Sequence, residues 1–107
     1  MANAKPSPTA HPLSELAPKF IDLSNEVLFA DIWERPGLSK RERSLVTVAS
    51  LVSLYRQNEL PFHLKRALEN GLTKEELVEA ITHLAFYSGW PTAATALSIA
   101  KSTFEAA

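Results

Sequence analysis

The sequence predicts an all-α protein, a single domain of about five helices that assembles as an oligomeric bundle. Three observations carry this. Apolar residues recur at helical spacing, and no alternating run makes a convincing strand. Glycine occurs only at 37, 71 and 89, each where one helix should give way to the next. Two of the helices are too apolar for a lone chain of 107 residues, which points to burial between copies.

Residues 1–17 open with MANAKPSPTAHP, rich in Pro, Ser and Ala. They read as a flexible arm, with an arm ordered against a partner subunit as the alternative. They lack the apolar centre of a signal peptide. Residues 18–107 are expected to form the helical domain. Its first helix should run from Pro18 to about Ile32, with Phe20, Ile21, Val27, Leu28 and Ile32 as contacts, before Pro36 and Gly37 break the chain. Ser39 and Glu42 form a capping box that opens the second helix. Leu45, Val48, Ala49, Val52 and Tyr55 are its stripe, and Leu51 and Leu54 widen it. Asn58 is placed to cap the third helix, Pro61 falls in its first turn, and Gly71 stops it. Phe62, Ala67 and Leu68 are its apolar side, with Leu64 beside them. Thr73 and Glu76 make a second capping box, followed by a stripe of Leu77, Ala80, Ile81, Leu84 and Ala85. Gly89 ends that helix. Trp90 and Pro91 begin the last, whose small face of Ala93, Ala96 and Ala100 allows close approach.

Eleven basic residues against twelve acidic leave a net charge of -1. That argues against a general nucleic-acid binder and against electrostatic attachment to anionic membranes. No apolar run approaches the roughly 20 residues that span a bilayer. The absence of cysteine removes disulfides, thiolate metal sites and thiol nucleophiles together, and fits a cytoplasmic setting.

Chemistry then falls to histidine and its neighbours. His11 lies in the arm. His63 follows Glu59 by four residues and His83 follows Glu79 by four, so each pair shares a helix face. A carboxylate at that spacing can orient an imidazole and raise its pKa, which suits an acid or base; it is equally ordinary as surface stabilisation. No metal motif, phosphate loop or nucleophile elbow is present. Arg41, Arg43, Arg56 and Arg66 are candidate anion binders, or solvated helix-end charges. Phe86, Tyr87 and Trp90 wall a small pocket or simply fill a corner.

The stretches LSKRERSLVTVA and NELPFHLKRALENGLTKEELVEAITHLAFYSGWPTA, in this order and spacing, resemble the carboxymuconolactone decarboxylase family from about Leu28 to about Phe104. The resemblance implies an all-helical, alkylhydroperoxidase-like fold in trimers or hexamers. One branch of that family carries C-x-x-C, a histidine four residues on, and a glycine eight further. Those positions are Arg56, Glu59, His63 and Gly71 here, so thiol peroxidase chemistry has no nucleophile. The other branch removes CO₂ from a carboxylated lactone in aromatic catabolism without metal or organic cofactor. The resemblance implies a small-molecule substrate and His63 as acid/base. Chemistry and position add Arg43 for the substrate anion, Glu42 or Glu59 as orienting carboxylate, and Tyr55, Tyr87 and Trp90 as pocket walls. A family member acting on another small carboxylate, or a non-catalytic oligomeric binding module, are the alternatives.

Overall fold

The computed structural model describes residues 11–106, so the part of the expected arm over residues 1–10 lies outside the described residues. Five α-helices form, with no strand among the described residues: α1 Pro18–Leu23, α2 Lys40–Ser53, α3 Leu60–Glu69, α4 Lys74–Ser88 and α5 Trp90–Ala106. The chain divides into two compact units between Pro36 and Gly37.

In the first unit, residues 11–17 form a hydrogen-bonded turn, in which Ser14 N donates to His11 O and Ala17 N to Leu13 O. The single long helix expected over Pro18 to Ile32 is not formed. α1 stops at Leu23, Ser24–Phe29 winds as a π-helical turn, and Ile32–Glu34 is a 3₁₀ turn. Ser24 and Asn25 stand where α1 gives way, residue types whose side chains compete for the backbone in a helix interior. Ile21 is buried, whereas Phe20, Val27, Leu28 and Ile32 are exposed. The Phe29 and Trp33 rings stack within this unit, 6.5 Å between centroids.

In the second unit, both capping boxes form. Ser39 N donates to Glu42 Oε1 and Glu42 N to Ser39 Oγ, at 2.8 and 3.0 Å. Thr73 and Glu76 repeat the exchange at 3.0 Å in each direction. Asn58 does not cap α3. Glu59 is the residue before the helix, and its φ of -90° and ψ of -17° are already helical, so no side chain there receives the first amides.

α2 packs on α3, α4 and α5, and α5 packs on α3 and α4. Val48, Val52, Leu60, Leu64, Leu77 and Ile81 are almost wholly buried, and Ala93, Ala96 and Ala100 let α5 lie close to them. Phe62 and Leu54 were expected among the contacts but are exposed. α2 and α3 run in opposite directions. Asn70 Nδ2, at the end of α3, donates to the buried Ser44 Oγ near the start of α2 at 2.9 Å.

Candidate active site

Five cross-links sort the second unit into two ends. At one end Arg41 is paired with Glu76 and its Nε donates to Gly71 O, beside the Ser44–Asn70 bond. At the other, Ser53 Oγ and Ser88 Oγ lie 2.7 Å apart, and Tyr55 OH lies 3.3 Å from Thr95 Oγ1. The candidate residues divide accordingly. Tyr55, Glu59, His63, Tyr87 and Trp90 belong to the end where α2 and α4 finish and α3 and α5 begin. Glu42 and Arg43 belong to the first turn of α2, at the opposite end. With Ser44 bonded to Asn70, the helical rise sets His63 about 10 Å along the axis from that level.

His63 lies in the first turn of α3 and is half-buried. Its Nδ1 is sealed from solvent and has no hydrogen-bond partner among the described residues. The Phe62 ring meets it edge to face at 5.0 Å, and the Arg66 guanidinium lies 5.8 Å from the centroid of that phenyl ring. Burial lowers the imidazole pKa below 6.5, and the charge of Arg66 lowers it further; Glu59 pushes the other way and loses. The carboxylate at i−4 therefore does not raise this pKa, because a cation at i+3 and desolvation outweigh it.

The two carboxylates proposed as partners of His63 are differently engaged. Glu42 serves the capping box, and its bonds to Ser39 hold its pKa down. Glu59 Oε1 accepts from Arg56 Nε at 3.4 Å while its charge acts on His63. Arg43 is half-buried at the other end.

Tyr55 was expected in the stripe of α2, but α2 ends at Ser53 and Tyr55 adopts φ 61°. Arg56 N donates to Leu51 O and Tyr55 N to Val52 O, closing the helix with a left-handed residue. Gly71 closes α3 in the same way, with φ 104° and bonds from Gly71 N to Leu68 O and Leu72 N to Ala67 O. Glycine takes that backbone freely; a side chain there costs on the order of 1–2 kcal/mol. The sequence YRQN carries no glycine to announce such a turn.

Among the depressions on this unit, two bear on the candidate residues. An open cleft of about 470 Å³ is lined by Leu54, Tyr55, Arg56, Gln57, Asn58 and Glu59, the last of them four residues before His63. A groove of about 490 Å³ between α2 and α4 has an apolar floor that includes Leu45, Ala49 and Leu84, with Glu79 and His83 at its edge. His83 stacks against Tyr87 at 4.9 Å and Phe86 meets Trp90 edge to face at 6.1 Å. Neither Tyr87 nor Trp90 lines these two depressions. No group of three or more potential metal ligands gathers among the described residues. No described helix is long and apolar enough to cross a membrane.

The fold and this end of the second unit define a small all-helical protein with a half-buried histidine one helical turn after Glu59, which lines a polar cleft. The chain belongs to the carboxymuconolactone decarboxylase family, whose model matches residues 18–102 and so takes in α1 as well. It is 38% identical over 93 residues to 4-carboxymuconolactone decarboxylase of Acinetobacter baylyi, covering 87% of this chain and 69% of that one. It is 34% identical over 82 residues to nitrosuccinic acid decarboxylase of Metarhizium robertsii, covering 77% and 57%. An uncharacterized 15.0 kDa protein of Paracoccus denitrificans is 30% identical over 81 residues, covering 74% of this chain. The chain thus spans 57% to 69% of the length of these relatives.

Proposed function

We propose that this chain is a decarboxylase of its family, acting on a small dicarboxylic acid, with a carboxylated lactone as the first candidate and His63 as the proton carrier. The observation that carries this is the environment of His63, a partly desolvated imidazole with one buried, unpartnered nitrogen, one helical turn after Glu59, which lines a polar cleft. The two named relatives support the reaction class. Carboxymuconolactone and nitrosuccinic acid are both dicarboxylic acids in which a lost carboxylate leaves its electron pair next to a group that accepts it.

In the reading we draw, the carbon–carboxylate bond breaks and CO₂ leaves. The electron pair passes through the ring double bond to the lactone carbonyl. The carbon next to the lactone carbonyl then takes a proton from the His63 imidazolium, which regains one from solvent, so the ring double bond shifts to the carbon that lost CO₂ and one proton is consumed for each CO₂ released. Burial and Arg66 lower the pKa of the resting ring, and a bound dianion pushes the other way. Glu59, one turn before the ring, is the nearer orienting carboxylate; Glu42 and Arg43 are the more distant pair. Tyr55 lines the cleft, and Tyr87 and Trp90, exposed at the same end of the unit, would wall the site only where copies of the chain meet.

CO₂ release from carboxymuconolactone and from nitrosuccinate, measured side by side, tests this. Turnover of either supports the class and selects the substrate; turnover of neither by folded protein overturns it. A second reading puts the chemistry in the groove, favoured by its apolar floor and the Glu79–His83 edge. Loss of activity in His83→Gln with activity kept in His63→Gln selects that one.

A further inference from the structure

We infer that Arg56 seats a carboxylate of the substrate, with Glu59 as its resting counter-charge and the left-handed turn at Tyr55 holding it in place. The dicarboxylate class rests on the decarboxylase reading; the seat itself rests on geometry.

The arginines of this unit are not equivalent. Arg41 is held by Glu76 and by Gly71 O. The guanidinium of Arg66 lies near the face of Phe62. Arg56 instead fronts the open cleft and has one side-chain bond among the described residues, from Nε to Glu59 at 3.4 Å. That is long for a charge-assisted bond, and both side chains are about half exposed, at 58% and 48%. Such a pair is screened by water and readily exchanged. The two terminal nitrogens of Arg56 remain for a carboxylate, whose planar oxygens match a guanidinium fork.

The backbone at this point is fixed before any ligand arrives. Arg56 N is bonded to Leu51 O, and the preceding Tyr55 is tied to Thr95 through its hydroxyl. The backbone there loses little freedom when the anion docks, and the cost falls on the Arg56 side chain. Exchange at Arg56 also releases Glu59, whose charge already acts on His63. Seating the anion therefore strengthens the ring's hold on its proton when the reaction needs one.

Succinate, a dicarboxylate with no carbanion-stabilising group, is the probe, titrated calorimetrically into the full chain. The wild type should bind it saturably. Arg56→Gln should weaken binding about tenfold or more, and Arg56→Lys by an intermediate factor, since an ammonium keeps the charge without the fork. Lys101→Gln, which removes a charge paired with Glu105 on α5, should bind as the wild type does. With an acid that turns over, Arg56→Gln should raise KM by more than it lowers kcat. Three results overturn the seat: no saturable binding by the wild type, Arg56→Gln within twofold of it, or an equal loss in Lys101→Gln. The succinate experiment needs no turnover, so failure of the decarboxylase reading leaves it decisive, and turnover with an unaltered KM in Arg56→Gln removes the seat alone.

Discussion

At the residue scale, the balance around His63 fixes two outcomes. Its pKa in the folded chain lies below 6.5, lowered first by burial and then by Arg66. As pH falls through about 6.5, the unfolded state takes up this proton first, so stability is full above that value and declines as pH drops toward the folded pKa. Thermal unfolding followed against pH should show that decline, and His63→Gln should make it shallower. For the reaction, the acidic form of the ring is the proton donor, so rate falls as pH rises through its pKa. The inflection in kcat/KM, which reports the free enzyme, should lie below 6.5. The inflection in kcat should lie higher, because the bound dianion favours the imidazolium. Coincident inflections would contradict the proposed role. The sequence held both influences, Glu59 at i−4 and Arg66 at i+3, but their ranking needed the burial of the ring, which only packing supplies.

At the element scale, helices were legible where their signals were local. Each capping box joins partners three residues apart, so α2 and α4 could be read from Ser39, Glu42, Thr73 and Glu76 directly. Ser39→Ala and Thr73→Ala should each cost about 1 kcal/mol in denaturant unfolding. Gly71 and Gly89, both at positive φ, likewise announced their stops. The first helix was less legible, because apolar spacing alone does not distinguish an α-helix from one that widens into a π-turn at Ser24. The turn at Tyr55 was not legible, because a tyrosine stands where glycine usually signals. Nor was the sorting of candidate residues to two ends, since Arg41–Glu76 and Tyr55–Thr95 join positions 35 and 40 residues apart. The core followed the periodicity in α4, where Leu77 and Ile81 are buried, and less in α3, where Phe62 is exposed and Leu64 is fully buried; Leu64→Ala should cost about 2–5 kcal/mol, read as a fall in the unfolding midpoint.

At the scale of the whole molecule, the family membership agrees with the resemblance carried by the motifs, while assembly and substrate rest on chemistry. Phe86, Tyr87 and Trp90 cluster at the α4–α5 corner with relative exposures of 77%, 78% and 67%. That is a large aromatic surface for a lone chain to leave in water. Light scattering should give the mass of a trimer or hexamer, and Trp90→Ser should shift it toward the monomer; a monomeric wild type would contradict the expectation. The central claim is proton delivery by His63 during decarboxylation. It is tested most directly by CO₂ release from carboxymuconolactone by the wild type and by His63→Gln, with folding of both verified by circular dichroism. The wild type should turn over, and the variant should lose at least about 100-fold in kcat. Turnover by His63→Gln within twofold of the wild type would contradict it.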